Sequence, residues 1–576
     1  MNGQNSISRI RLLSFLILAF GGVLLAKLSY LQLVRGNEYG EMAERQYTTP
    51  AASVFDRGSI FFRERTGELA SAATLAAGFI VAVNPKEVTD PDTVYATLSK
   101  HLTISRDEFL QKVAKKDDPY EELARRVPRD IADKIIAEKL PGVHLYREKW
   151  RFYPGGSTAA RVIGFLGYNN DNVYAGRYGV ERYYEEVLGR GGDDLYVNFF
   201  AEVFSSLGDT LLSRENREGD VILTIEPEAE RALHEELRKV MEEWRSDLAG
   251  GIIMNPMDGS IYAMEVLPSF DPNNLKTAEA RLLGNPLVEG VYEMGSIMKP
   301  LTMAAGLDAG VITTKTTYND EGEVIIDGAT IKNFDGKARG TVPIQEILNQ
   351  SLNTGMAFVA KRLGPERVRE YLLNYGLGEE TGIDLPGEVG GLMKNLESPR
   401  ELEYATASFG QGIATSPIAT VRALATLANG GYLVNPHITE SIDYKGGFSR
   451  KPEFQLGEQV LTKETSEEIT RMLVEVVDKA LLGGTVKIPE YSIAAKTGTA
   501  QMAREGGKGY YEDRYLHSFF GYFPAYEPKF LIFLYTVNPK GVNYASHTLT
   551  YPFIRLAKFL LNYYEVPPDR AEVALQ

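Results

Sequence analysis

The sequence predicts an α+β protein with more than one domain. Three observations predict it: a length of 576 residues, a second half that begins and ends in strands with helical sequence between, and one uncharged apolar run near the start. A chain of this length exceeds what one hydrophobic core organises, so two or three domains are expected. Strands at both ends of a region with helices between them predict an antiparallel sheet built from both termini, with helices packed on it.

The apolar run comes first. Leu12 to Ala26 reads LLSFLILAFGGVLLA, and apolar character continues past Lys27 to Val34. As a helix, Leu12 to Leu33 is about 33 Å long, enough for a hydrocarbon core of about 30 Å. We expect a transmembrane anchor over residues 12–34, preceded by a cytoplasmic segment 1–11. Lys27 snorkels to the interface and Tyr30 sits beside it. Arg9 and Arg11 before a short apolar run also suit a cleaved leader, but no small-x-small site ends the run. Arg9 and Arg11 before the span and Arg35 and Arg45 after it leave the charge rule for orientation near a tie. No other segment is long and apolar enough to span, so a single pass is expected.

Residues 35–56 read as a helical stalk running into a strand. Residues 57–218 are mixed, broken by Gly155-Gly156 and Gly189 to Gly192, with a charged helix expected over roughly 121–139. Together, 35–218 form one expected region. The character changes at Gly219. GDVILTIEP reads as a strand, and Ala229, Ala232, Leu233, Leu237, Val240 and Met241 follow at helical spacing. GGIIMNPMDGSIYAMEV reads as a hairpin turning at Asp258-Gly259. Sequence from about 296 to 480 is mostly helical. YSIAAKTGTA, SFFGYFPA and FLIFLYTV then read as strands, and an amphipathic helix over about 550–564 closes a domain spanning 219–565. Residues 566–576 are a tail.

Composition narrows the chemistry. A formal charge of −15 argues against a nucleic-acid binder, which needs a basic face. Zero cysteine removes a disulfide scaffold, a zinc ribbon and a cysteine nucleophile. The six histidines include no H-E-x-x-H or other close metal pair. Neither a G-x-S-x-G elbow nor a G-x-x-x-x-G-K-[ST] loop occurs.

Three motifs carry the chemistry: Ser296-Ile297-Met298-Lys299, Ser351-Leu352-Asn353 and Lys496-Thr497-Gly498-Thr499. Residues three apart share a helix face, so the Lys299 amine can reach the Ser296 hydroxyl. Pro300 is tolerated only near a helix start, which places Ser296 at an N-terminus where free N–H groups favour an oxyanion. A serine attacks only after a base takes its proton. Lysine is such a base when burial and a nearby positive charge lower its pKa, and Lys496 can supply that charge while attracting a substrate carboxylate. SIAAKTGTA has the look of an edge strand beside a cleft, where Gly498 lets a substrate backbone approach. The N–H groups of Thr499 and Ser296 can form an oxyanion hole. Ser351 either relays a proton or caps a helix. Asn353 holds the substrate amide or Lys299, or merely makes a turn.

The combination of S-x-x-K, S-x-N and K-T-G is that of penicillin-binding proteins and class A β-lactamases. The chain resembles the class B penicillin-binding proteins along nearly its whole length. Arg57-Gly58-Ser59-Ile60 followed by Gly67-Glu68-Leu69-Ala70 is similar to the family's pedestal signature, as are RFYPGGSTAARVIGFLG (151–167) and GRYGVERYYEEVLGRGG (176–192). Later, SFGQGIATSP (408–417) and AAKTGTAQ (494–501) are similarly close, whereas Met294 and Ala495 replace a common Pro and Gly. The resemblance implies a pedestal, or dimerisation-like, domain and a β-lactamase-like transpeptidase domain outside the cytoplasm, on a single-pass anchor in the cytoplasmic membrane. It implies peptidoglycan D,D-transpeptidation without a metal or organic cofactor: Ser296 attacks the penultimate D-Ala of a stem peptide, and a neighbouring amine resolves the acyl-enzyme. Lys299, Ser351, Asn353 and Lys496 complete the catalytic set, with Thr497, Gly498 and Thr499 binding substrate. β-Lactams are the implied inhibitors and a membrane-embedded glycosyltransferase the implied partner. YEMGSIMKP and the S-x-N form lean towards the cell-division type. An elongation enzyme and a non-catalytic scaffold that activates a glycosyltransferase are the alternatives.

Overall fold

The computed structural model describes residues 56–169, 173–190, 218–453, 456–504, 506 and 509–570. The expected anchor, stalk and extreme tail lie outside these residues. Among the described residues, no helix is long and apolar enough to cross a membrane.

In chain order the first strands are β1 (Ile60–Arg63), β2 (Leu69–Val83), β3 (Glu121–Val127), β4 (Val143–Phe152), β5 (Leu166–Tyr168) and β6 (Tyr174–Gly176). Then come β7 (Gly219–Leu223), β8 (Leu248–Met254), β9 (Ile261–Leu267), β10 (Thr317–Asp320), β11 (Glu323–Ile326), β12 (Ala329–Lys332) and β13 (Gly340–Pro343). The last are β14 (Thr439–Tyr444), β15 (Ser449–Arg450), β16 (Ala494–Ala503), β17 (Tyr510–Phe523) and β18 (Phe530–Val537). The chain divides into two compact units. Leu75–Trp150 belongs to the first, whereas Arg57–Thr74, Arg151–Arg190 and the described residues from 218 onward belong to the second.

The first unit packs helices α1 (Pro91–Leu98), α2 (Arg106–Val113) and α3 (Arg129–Ala137) with strands around Val81, Val94, Leu98, Phe109, Val127 and Ile135. Here the expected charged helix over 121–139 is corrected. Glu121–Val127 is strand β3, antiparallel to β2, and only Arg129–Ala137 is helical. Pro128 separates them at the N-cap, because its fixed φ suits a helix start and its missing N–H prevents a continuous helix. Strand pairing outweighs the helix propensity of EELARR.

The second unit holds a five-stranded sheet, ordered β16-β17-β18-β8-β9 and antiparallel throughout. Both faces are covered. Phe519, Phe523, Ile532 and Leu534 join one core cluster, and Phe520, Tyr522, Leu531 and Phe533 join the other. That is why SFFGYF and FLIFLY read as unbroken apolar runs rather than alternating ones. Helix α4 (Pro227–Trp244) packs on the first of these faces through Ala229, Leu233, Leu237 and Val240. The Glu226 side chain caps it by accepting from the Ala229 N–H. Helix α7 (Thr550–Tyr563) joins the same cluster through Phe553, Leu556 and Leu560.

Two features depart from the sequence reading. Strand β7 does not enter the five-stranded sheet. It lies parallel to β1, with Ile60 opposite Val221, and antiparallel to β14. The mostly helical middle also contains two small two-stranded sheets, β10 with β13 and, between them in the chain, the hairpin of β11 with β12. Their strands are only four residues long, too short for a period to show.

Candidate active site

Ser296 lies in a 3₁₀ turn, Gly295–Met298, that runs directly into helix α5 (Lys299–Asp308). Pro300 occupies the first turn of α5, where its missing N–H is harmless. Ser296 is half-buried and Lys299 is fully buried. The Lys299 Nζ donates to the Ser351 carbonyl at 2.6 Å, the Ser351 Oγ at 3.2 Å and the Asn353 Oδ1 at 2.8 Å. It also stands 5.9 Å from the centre of the Phe409 ring.

Both polar residues of the S-x-N motif lie against the Lys299 amine. Asn353 is the first residue of helix α6 (Asn353–Leu363), and Ser351 does not cap it. Ser351 has φ of +56°, a left-handed conformation that costs a non-glycine residue roughly 1–2 kcal/mol. Both the carbonyl and the hydroxyl of Ser351 accept from Lys299. Asn353 holds Lys299 through its amide oxygen while its Nδ2 donates to the Lys332 carbonyl at 2.9 Å.

Strand β16 is an edge strand of the large sheet, as expected from its small residues. Lys496 is 2 % exposed, and its Nζ donates to the Thr497 carbonyl at 3.1 Å. Burial pushes the Lys496 ammonium down to about 7. Burial also pushes Lys299 well below the ordinary lysine value, and the charge of Lys496 pushes it further. Neither lysine has a carboxylate partner among the described ion pairs. Lys299 therefore gives up its proton more readily than an ordinary lysine, and once neutral it can accept one.

Gly498 explains how the nucleophile turn docks on this strand. A Cβ at 498 would stand 2.3 Å from the Ser518 Oγ and 2.9 Å from the Met294 carbonyl oxygen. A Cβ at Gly295, whose φ is +65°, would likewise stand 2.8 Å from the Thr499 carbonyl oxygen. Through the gap at Gly498, the Ser518 hydroxyl donates to the Met294 carbonyl at 2.8 Å. Thr497 and Thr499 alternate to the other side of the strand and are half-buried. The Thr499 hydroxyl accepts from the Ala545 N–H at 3.1 Å.

Sequence reasoning missed several supports of this site. Ser518 faces Gly498 across the β16–β17 pair, a juxtaposition visible only once the register is known. Tyr510, at the start of β17, donates to Glu293 at 3.0–3.1 Å, three residues before Ser296. The Gly410 carbonyl accepts from the Gly295 N–H at 3.2 Å, which gives SFGQG a direct role in shaping the turn. His517 is fully buried beside Thr548, and burial holds it neutral, down to about 4. Among the described residues, no group of three acidic, histidine or cysteine side chains could hold a metal ion.

A second buried polar cluster lies in the same unit. Arg57 donates to Glu181 at 2.7 Å and to Glu185 at 2.7 and 3.0 Å, and Arg151 donates to the other Glu181 oxygen at 2.6 Å. Arg151 also donates to the Gly58 carbonyl at 2.7 Å. The residues that carry the pedestal resemblance at 57–58, 151 and 181–185 thus form one knot.

Comparison with known proteins agrees with this architecture. The family description "Penicillin binding protein transpeptidase domain" matches residues 249–555, and "Penicillin-binding Protein dimerisation domain" matches 56–198. "Stage V sporulation protein D" of Bacillus subtilis is 29% identical over 566 residues, covering 96% of this chain and 85% of that one. "Peptidoglycan D,D-transpeptidase FtsI" of Escherichia coli is 27% identical over 580 residues, covering 97% and 92%. Among solved structures, penicillin-binding protein 2X from Streptococcus thermophilus superposes with a TM-score of 0.72 at 19% identity, covering 89% of this chain and 80% of that one. Penicillin-binding protein 3 from Mycobacterium tuberculosis, complexed with aztreonam, gives 0.67 at 22% identity, covering 89% and 97%. At these identities the solved structures speak for the fold. With both domain matches and full-length relatives in hand, the chain belongs to the class B penicillin-binding proteins and carries their serine-type D,D-transpeptidase domain.

Proposed function

We propose that the protein cross-links peptidoglycan stem peptides during septal wall synthesis, with Ser296 as nucleophile and Lys299 as its base. The observation that carries the reading is the Lys299 amine. It is wholly buried, next to a second cation, and held by neutral acceptors on the S-x-N motif. Lys299 takes the Ser296 proton as the hydroxyl attacks the penultimate D-Ala carbonyl. The N–H groups of Ser296 and Thr499 stabilise the oxyanion, and loss of one such donor typically slows turnover about 100- to 1,000-fold. The C–N bond to the terminal D-Ala breaks, and that amine leaves with a proton returned through Lys299 or Ser351. The amine of a second strand then attacks the ester and restores Ser296. Lys496, charged below its pKa of about 7, attracts the donor carboxylate together with Thr497 and the backbone at Gly498 and Thr499.

β-Lactams acylate the same serine in this reading, and the mycobacterial protein of similar fold is complexed with aztreonam. Residues 12–34 anchor the chain in the cytoplasmic membrane, placing the 35–218 pedestal and the 219–565 catalytic region outside the cytoplasm. A membrane-embedded glycosyltransferase supplies the glycan strands. The FtsI names among the relatives support the septal role. The relative named for stage V of sporulation supports a second reading, a transpeptidase used in spore formation. Intact-mass analysis after incubation with penicillin tests the chemistry. One adduct on the wild type and none on Ser296→Ala is expected, and a wild type without adduct refutes it. Midcell fluorescence in dividing cells supports the septal role. Expression confined to sporulating cells would replace it with the second reading.

A further inference from the structure

Behind the S-x-N motif lies a buried polar knot that no substrate needs to touch. Asp320, at the end of β10, is 1 % exposed, and Asn333, just after β12, is 3 % exposed. The Asn333 Nδ2 donates to both Asp320 oxygens, at 2.9 and 3.1 Å. The hydroxyl of Thr354, the residue after Asn353, lies 2.7 Å from Asp320 Oδ1 and 3.1 Å from Asn333 Oδ1. The Thr354 N–H donates to Asn333 Oδ1 at 3.3 Å. Asp320 Oδ1 also accepts from the Gly322 N–H at 3.1 Å, and the Arg339 guanidinium stands 3.9 Å from Asp320 Oδ2. Two further backbone bonds join these strands, from the Asn333 N–H to the Gly322 carbonyl at 2.9 Å and from the Arg339 N–H to the Asp320 carbonyl at 3.1 Å.

The knot ties together two pieces of backbone that converge on Asn353. One is Lys332, whose carbonyl accepts from the Asn353 Nδ2. The other is the start of α6, which carries Asn353 itself. Fixing the NH₂ of a planar amide also fixes the direction of its oxygen, and here that oxygen accepts from Lys299 at 2.8 Å. Ser351, two residues before Asn353, must hold a left-handed conformation to aim its carbonyl at the same amine. Such a conformation persists only where the surroundings over-determine it. A buried carboxylate also accepts strong, directional bonds, and a neutral acceptor in its place holds its donors less tightly.

We propose that Asp320, acting through Asn333 and Thr354, is a positioning residue for catalysis: it sets the orientation of Asn353 and Ser351 and so places the Lys299 amine against Ser296. The inference rests on the reading of Lys299 as the base. Asp320 touches neither substrate nor the reacting atoms. Its effect therefore appears in the acylation step and not in the noncovalent affinity for the β-lactam.

Stopped-flow acylation by a fluorescent penicillin, which separates the acylation rate from the dissociation constant, tests this on the purified full-length protein. Asp320→Asn and Thr354→Val should acylate about 10- to 100-fold more slowly, the scale expected for small misplacement of a catalytic group. Their dissociation constants should stay within about twofold. Thr354→Ser keeps the hydroxyl and should restore the wild-type rate. Melting temperatures and the fraction of protein that finally acylates correct for unfolded material. If Asp320→Asn does not fold, the Thr354 pair decides. Wild-type rates in Thr354→Val overturn the proposal, as does an equal loss in Thr354→Ser. A wild type that forms no Ser296 adduct overturns instead the reading on which it rests.

Discussion

Two clusters of buried cations lie in the same compact unit and meet the cost of burial in opposite ways. At the pedestal knot, Arg57 and Arg151 share Glu181, a carboxylate with no exposed surface, and Arg57 also engages Glu185. Burial alone would push the Arg57 guanidinium down, but the charges of Glu181 and Glu185 outweigh it and hold the pKa above its usual value. In the cleft, Lys299 and Lys496 are equally buried but receive only carbonyl, hydroxyl and amide oxygens among the described residues. Both are pushed down. A paired buried cation is inert and fixes structure. An unpaired one is easily deprotonated, and a neutral lysine beside a serine is a reagent.

The largest expected effect breaks the catalytic half of this contrast. Lys299→Met should slow β-lactam acylation about 100- to 10,000-fold, the usual contribution of a general base. It should leave folding intact or improve it, because it replaces a buried amine with an apolar side chain of similar length. Progress curves with a chromogenic β-lactam, together with thermal melts, measure both.

The structural half should respond in the reverse sense. Glu181→Gln leaves two buried guanidinium groups without their shared anion and should cost about 3–5 kcal/mol, as breaking a buried ion pair does. Acylation per folded molecule should be unchanged. Urea unfolding followed by active-site titration separates the two. A third variant tests the docking of the nucleophile turn. Gly498→Ala forces a methyl into the space of Ser518 and Met294 and should cost about 1–3 kcal/mol as an overpacked site. Because that methyl displaces the turn carrying Ser296, acylation should fall as well. A smaller effect is expected from Tyr510→Phe. It removes the hydroxyl that holds Glu293, for about 1 kcal/mol and a severalfold change in rate.

How much of this contrast was legible in the sequence depends on how local each half is. Ser296 and Lys299 stand three residues apart, in the 3₁₀ turn and at the start of α5, so spacing alone pairs them as candidates. Pro300 marked the helix start, and the small residues of AAKTGTA marked an edge strand. The long apolar runs of β17 and β18 showed the sheet. The rest depends on distant pairing. Ser518 supports Met294 across 224 residues, and Asp320 reaches Thr354 across 34. Neither carries a local signal, because a serine within the apolar run of β17 and an aspartate at the end of the four-residue β10 have their partners far away in sequence. Glu121–Val127 misled for the same reason in reverse, since its charges favour a helix while its partner strand imposes extension. GDVIL was recognised as a strand, but its pairing with β1 across the intervening chain had no sequence signature.

The pH dependence of Ser296 acylation, expressed as the second-order rate constant for a β-lactam, probes the central claim that Lys299 acts as a neutral base beside a charged Lys496. This constant reports the free enzyme's groups. Lys299 must have lost its proton and Lys496 must retain one, and the two titrate as a coupled pair. The account predicts a rate that is already high near neutrality and falls on the alkaline side as Lys496 loses its charge, from a pKa of about 7. Lys496→Arg keeps the charge at every accessible pH and should remove the alkaline fall. A wild-type rate that climbs steadily to about pH 10, as an ordinary exposed lysine would dictate, contradicts the account.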